Sequence, residues 1–428
     1  MAQTHTLQLE IAKPITLPCG LTLPNRLVKT AMAEGWADKN RLPHAGLVET
    51  YRLWADGGWG LILTGNVHID AAYLGTPDDC AVHDGLSASS HVAAWAPWAA
   101  AASSRGTPAI LQLNHPGRQS TLGAGSRAYM AQTVAPSAVP VNMGGGLIAR
   151  AAAALVFGRP RALTEPDIDD IVARFAAAAR MASQAGFAGV QIHAAHGYLL
   201  AQFMSSKTNT RTDRYGGSAK NRASIVVDVI RAVRAEVPSS FCVGLKMNSV
   251  DHQSAGELGD CLEQLRDIVD AGVDFLEISG GNYEDPLNMI STTAATQAKV
   301  SPSTAAREAF FLEFAKHVRK AFPDTHLMVT GGFRSRLGLE HAVASGACDM
   351  VGVGRPSVID PKLPQTVVFN ESIADEDATL ATKNFSQSWL AWMLGVKGLA
   401  AGTETLGYVS AIHKMVAAAG EKVPESRF

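Results

Sequence analysis

The sequence predicts an α/β protein closed as a (β/α)8 TIM barrel, and three observations carry that prediction. Eight short runs rich in apolar and β-branched residues recur along the chain. Longer stretches with helical spacing lie between most of them. No GxGxxG turn follows the first run, where an open dinucleotide-binding sheet would usually carry one. The 428 residues are 47% hydrophobic and 18% charged, enough apolar surface for a large core.

The eight runs at 26–32, 60–67, 109–113, 189–193, 242–247, 275–279, 327–330 and 350–353 read as strands. LILT, LMVT and MVGV among them are continuous apolar stretches, as expected of strands buried on both faces. Helical spacing covers 168–185, with Thr164 and Asp167 placed as its N-terminal cap, and then 223–237, 258–271, 307–322 and 337–345. The longest gap, 115 to about 188, is broken by Pro, Gly and Ser and includes the flexible-looking 142–146. It reads as an insertion over the barrel mouth. Past the eighth strand come an apolar-aromatic stretch at 389–396 and a helix-like 408–419. The chain therefore divides into a barrel, 1–364, and a helical C-terminal extension, 365–428, that pads the barrel or makes a subunit contact, so a homo-oligomer stays open.

Lys plus Arg number 37 and Asp plus Glu 39, a net charge of −2, which leaves no electrostatic footprint for nucleic acid or an anionic membrane. Five cysteines, odd in number and scattered in sequence, argue against a disulfide framework or a local metal-binding cluster. A reduced, cytoplasmic setting is the expectation. The first ten residues lack a signal-peptide pattern, and no run approaches the roughly 20 apolar residues of a membrane helix. The expected partner is a small-molecule substrate.

In a barrel of this kind the chemistry lies where strands run into the following loops. Those ends read Ala31-Met32-Ala33, Thr64-Gly65-Asn66, Gln112-Leu113-Asn114-His115, His193-Ala194-Ala195-His196-Gly197-Tyr198, Lys246-Met247-Asn248, Ser279-Gly280-Gly281, Thr330-Gly331-Gly332-Phe333 and Gly352-Val353-Gly354-Arg355. The last two suit a phosphate: glycines admit it to the backbone, and Arg355 adds a bidentate cation. The same glycines also serve as plain tight turns. His193 and His196 read either as a structural pair or as two donors to one substrate oxygen, with Tyr198 as a proton donor. A metal site lacks a third ligand in that motif. Lys246 reads as a salt-bridged mouth residue, a Schiff-base nucleophile or a fixed cation for an anionic ring. Gln112 presents two opposed hydrogen-bonding groups to an amide-like edge.

Six stretches carry a family resemblance: LPNRLVKTAMAE, LQLNHPGR, GRPRALTEPDI, GFAGVQIHAAHGYLLAQFMSSKTNTRTDRYGGSAKNR, and the pair VTGGFRS and VGVGRP. The chain resembles the old yellow enzyme family of FMN-dependent NAD(P)H oxidoreductases over about residues 23–356. The resemblance implies FMN as cofactor and NADH or NADPH as electron donor. It implies that Ala31, Met32 and Ala33 line the flavin ring, that Gly65 packs against it, and that Gln112 bonds its pyrimidine edge. Lys246 stands where the family usually has Arg. Gly331, Gly332, Phe333, Gly354 and Arg355 would hold the phosphate. His193 and His196 would bind the substrate's activating oxygen, and Tyr198 would protonate an activated C=C bond reduced by hydride from the flavin. Ala31 and Ala33 replace the Pro and the Thr or Cys frequent in the family, and Ala33 has no donor for the ring. The rival readings are an amine-oxidising, C–N-oxidising or redox-neutral FMN enzyme, a flavin-free Schiff-base barrel built on Lys246, and a non-catalytic flavin-binding protein.

Overall fold

A computed structural model describes residues 9–143, 146–249, 255–279, 302–385 and 397–418. Eight parallel strands close into a barrel: β1 (Leu27–Lys29), β2 (Leu61–His68), β3 (Ala109–Asn114), β4 (Gly189–Ala194), β5 (Cys242–Asn248), β6 (Phe275–Ser279), β7 (Leu327–Thr330) and β8 (Met350–Val353). Closure is completed by β1, which pairs with β8 at Val28–Gly352 and with β2 at Val28–Leu61. The last three predicted strands match residue for residue, and the next four differ by a residue or so at an end. The first is much shorter than 26–32, because after Lys29 the chain leaves the ladder to form the mouth.

The outer layer contains α1 (Ala45–Ala55), α2 (Ala88–Ala102), α3 (Glu165–Gln184), α4 (Ala219–Glu236), α5 (Ala255–Asp270), α6 (Pro302–Ala321) and α7 (Arg336–Ala344). The cap expected before α3 is a full capping box: Thr164 Oγ1 accepts from the Asp167 N–H, and the Asp167 carboxylate accepts from the Thr164 N–H at 2.8 Å. The sequence reading had no α1 or α2. The first is capped unusually, by His44 Nδ1, and the second has Pro97 in its interior. The insertion after β3 is present. It is fixed by a short parallel pairing of Val134–Ala135 with Arg161–Ala162 and contains an unforeseen helix, Leu147–Phe157. No described helix is long and apolar enough to cross a membrane.

Strand side chains alternate between the outside and the barrel interior. The lowest interior layer is apolar: Val28, Leu61, Leu63, Ile110, Phe275, Met328 and Met350. Leu17 and Leu23, from the hairpin pairing Ile15–Thr16 with Thr22–Leu23, join this layer from below. Two thiols far apart in sequence meet here. Cys19, Cys242 and Asp274 come within 4.8 Å of one another, although Asp274 is already engaged by Arg234 at 2.6 Å and the Val243 N–H at 2.7 Å.

The terminal helix α8 (Lys397–Ala418) begins earlier than expected and packs on α1. His413 Nε2 contacts the Glu34 carbonyl at 2.9 Å, the Trp36 ring lies 4.1 Å from the His413 ring, and Tyr408 donates to the Lys383 carbonyl at 2.8 Å. The extension therefore reaches the barrel mouth. Gly280, Gly281 and the stretch 389–396 lie outside the described residues.

Candidate active site

One pocket occupies the C-terminal mouth of the barrel, with about 1440 Å³ of space including its opening. Ala31, Met32, Ala33, Gln112, His193, His196, Tyr198, Lys246, Gly331, Gly332, Phe333, Gly354 and Arg355 all line it. Residues from six strand ends, far apart in sequence, thus share one cavity.

Gly65 is the exception. A side chain there would meet Glu34 Oε2 at 2.0 Å and the Met32 carbonyl at 2.2 Å, while its N–H donates to Glu34 Oε1 at 2.6 Å. The glycine makes room for a buried carboxylate behind the wall, and its neighbour Asn66 lines the pocket instead. Glu34 also accepts from the Tyr51 hydroxyl. Burial pushes the Glu34 carboxyl up, opposed by Lys29 nearby. Burial likewise pulls Lys29 down to about 8; its ammonium donates to the Leu63 carbonyl at 3.0 Å and sits 3.9 Å from the Trp54 ring centroid.

The two imidazoles meet edge to face, 5.0 Å apart, and the Tyr198 ring stands 4.9 Å from His193. Their protons can be placed from their partners. His193 Nδ1 accepts from the Ala195 N–H at 3.2 Å, so a neutral His193 carries its proton on Nε2. That nitrogen faces His196 Nδ1 at 3.2 Å, so His196 carries its proton on Nε2, which faces Ser279 Oγ at 3.1 Å. The pair forms a directed relay ending on Ser279. Of the two readings of the motif, the structural pair describes these contacts; for both rings to donate to one ligand oxygen, the His193 ring would turn and the Ser279 hydroxyl would give way. Burial holds both groups well below the usual histidine range, with His196 and Lys246 adding to the effect on His193 and Lys246 adding to that on His196. His196 sits at φ +56°, a left-handed conformation uncommon for a non-glycine residue, and its N–H donates to Asn248 Oδ1 at 2.9 Å.

Lys246 is 3.0 Å from Glu277 Oε1, a pair buried in the interior. At the opposite end, Gly331 and Gly332 have φ of +138° and +81°, the backbone freedom the glycine reading needed. Arg355 lies 3.6 Å from Glu404 on α8. Glu404, Thr405 and Tyr408 line this end, so the extension helps to build the pocket. Sequence reasoning missed them, along with Thr30 and Glu277, and named Asn66 and Ser279 as strand ends without giving them a role.

The chemistry of the lining fits FMN. Small residues and backbone at Ala31–Ala33 suit a flat ring, amide and ammonium groups lie at Gln112 and Lys246, and glycines with a guanidinium stand at the far end. Asn66 Oδ1 and Thr330 Oγ1 are buried without a partner, on residues that line the cavity.

Comparison with known proteins gives a consistent result. The family model described as NADH:flavin oxidoreductase / NADH oxidase family matches residues 10–373. An NADH-dependent flavin oxidoreductase of Hypocrea jecorina is 48% identical over 396 residues, covering 92% of this chain and 97% of that one. A protein of the same description from Neonectria sp. is 49% identical over 406 residues; the match covers 93% of this chain but about half, 52%, of that longer one. Among solved structures, the old yellow enzyme homologue from Zymomonas mobilis superposes with a TM-score of 0.67 at 25% identity, covering 87% of this chain and 94% of that one.

Proposed function

The chain belongs to the NADH:flavin oxidoreductase / NADH oxidase family, and from that premise we propose that it is an NADH-dependent enzyme reducing the activated C=C bond of an α,β-unsaturated carbonyl or nitro compound. The observation that carries the reading is one shared pocket, lined by His193, His196 and Tyr198, by the amide and ammonium of Gln112 and Lys246 from the two neighbouring strands and, from the strands across the barrel, by Gly331, Gly332, Gly354 and Arg355. Ala31–Ala33 would line the ring of FMN and Gly331, Gly332, Gly354 and Arg355 would hold its phosphate, and the group bound there would supply hydride transfer from NADH to the acceptor.

The protein's own part is alignment, electrostatics and one proton. Neutral histidines donate hydrogen bonds without placing a full charge beside the substrate, and donation to an oxygen that gains negative charge strengthens toward the transition state. Re-aiming the relay at that oxygen would exchange the Ser279 hydroxyl for a better acceptor. Tyr198 delivers the proton to the α-carbon. The buried Lys246–Glu277 pair disfavours the Schiff-base rival, since the ammonium is committed to a carboxylate.

The test is spectroscopic and kinetic. The purified protein should be yellow and bleach anaerobically with NADH, and an enone should restore the colour. Tyr198→Phe should slow recolouring far more than bleaching. A colourless protein refutes the flavin reading; equal slowing of both phases removes Tyr198 from the donor role.

A further inference from the structure

Beneath the pocket, the middle interior layer of the barrel is polar and fully connected. Glu277 stands on β6 between Phe275 and Ser279, so the alternation of the strand turns it inward, and it is wholly buried. Its Oε1 accepts from Thr30 Oγ1 at 2.8 Å and faces the Lys246 ammonium at 3.0 Å. Its Oε2 accepts from Gln191 Nε2 at 2.7 Å. That last bond spans β5, whose Gly244 pairs with both Gln191 and Phe275 and has the Phe275 ring against it, 2.3 Å from where a side chain would begin. Gln191 in turn accepts, through Oε1, from Gln112 Nε2 at 2.7 Å.

The directions of these bonds are forced. An ionised carboxylate only accepts, so Gln191 must offer its NH2 group to Glu277. Its carbonyl is then left for Gln112, which must offer its own NH2. The Gln112 carbonyl is thereby the polar group left to face the pocket that this residue lines. A side-chain amide alone can present either end to a ligand; here a carboxylate two links away selects one.

We infer that Glu277 is a positioning residue for the cofactor, an inference that rests on the flavin reading above. It acts in two ways. Through Gln191 it fixes Gln112 as an acceptor, complementary to the ring N–H of the flavin's pyrimidine edge. Directly, it holds Lys246 and offsets its charge. A reduced flavin is stabilised by a nearby cation, so the carboxylate lowers the ring's tendency to take electrons.

Two variants separate these roles. Gln191→Met keeps volume but cuts the chain between Glu277 and Gln112; freed to present either end, Gln112 should hold FMN about twofold to tenfold less tightly, the upper figure being the equivalent of one hydrogen bond. Glu277→Gln keeps the shape but removes the negative charge, and it should shift the flavin midpoint potential upward, a readout that a merely structural role would not move. Apoprotein is titrated with FMN by flavin fluorescence, and the potential is measured by anaerobic reduction against a reference dye. Should Glu277→Gln not fold, Gln191→Met still decides the positioning role. A wild-type protein that binds FMN, beside a Gln191→Met variant of unchanged affinity and a folded Glu277→Gln variant of unchanged potential, overturns the inference and leaves the flavin reading standing. A wild-type apoprotein that takes up no FMN overturns both.

Discussion

Replacing Gly65 with Ala tests what that glycine is for. The added carbon would lie 2.0 Å from Glu34 Oε2, 2.2 Å from the Met32 carbonyl oxygen and 2.5 Å from Glu34 Cδ. All three are far inside contact distance, and one is backbone, so the chain must move by on the order of 1 Å to restore ordinary carbon–oxygen contact. Overpacking of this kind costs about 1–3 kcal/mol. If the shift also breaks the 2.6 Å bond from the Gly65 N–H to the buried Glu34 carboxylate, about 1.5–3 kcal/mol more is lost. For a chain this long, the sum corresponds to a fall in melting temperature on the order of 3–7 °C. Because the clash is internal to the protein, apoprotein and FMN-loaded protein should both melt lower. The loaded form should lose more, since the displaced carbonyl belongs to Met32 in the pocket wall. Differential scanning fluorimetry on both forms is the assay. An apoprotein that melts as wild type does, with only FMN binding weakened, would refute the argument and return Gly65 to the face of the ring.

Other expectations follow from the same geometry. Ala33→Thr adds a hydroxyl donor beside the flavin and should raise its midpoint potential; an unchanged potential would separate Ala33 from the ring. His193 and His196 are held neutral below their ordinary value of 6.5, so the unfolded chain takes up protons first. Their contribution to stability is complete above pH 6.5 and is lost as the pH falls from there toward the folded values. The loss is at most about 1.4 kcal/mol per pH unit for each group. Denaturant midpoints at pH 7.5 and 5.5 should show a shallower pH slope in His193→Gln, and parallel slopes would contradict the burial argument. Among the five cysteines, Cys19 is partly exposed and its thiol is lowered mainly by a hydrogen bond with Cys242, whereas Cys80, Cys242, Cys261 and Cys348 are buried and raised. A disulfide reagent should therefore modify one thiol in the folded protein and all five after denaturation.

How far the sequence was legible depended on which period was being read. Apolar runs bounded by turns located the strands, because a strand buried on both faces has few other ways to be written. Strand ends located the pocket, because the fold puts loops with chemistry at one face. Lists of strand ends do not reach the layer beneath, however, and Thr30, Gln191 and Glu277 went unread. The signal for them was present in FLEIS and GVQIH, where the residue two before Ser279 and the one two before His193 share the inward face. Glu404 and Tyr408 left no comparable trace, since nothing local says that a helix some fifty residues past the last strand returns to the mouth. The contact between His193 and His196 was one of the readings the motif left open, a structural pair; what sequence did not give is that their relay ends on Ser279.

The polar layer also shows why the pocket is a better guide to function than to stability. Carrying Lys246 and Glu277 into the barrel interior takes two charges out of water, and a well-packed apolar pair often does as well or better for folding. The pair is therefore poorly explained as a stabilising bridge. Thr30 and Gln191 close its remaining hydrogen bonds, which makes burial tolerable but gives no reason for having the charges there. A reason appears when the layer is viewed from above: Lys246 and Gln112 line the pocket, and Glu277 is tied to both, directly to the first and through Gln191 to the second. A carboxylate at that junction sets the charge and the hydrogen-bonding sense of the surface on which a flat, redox-active ring would rest.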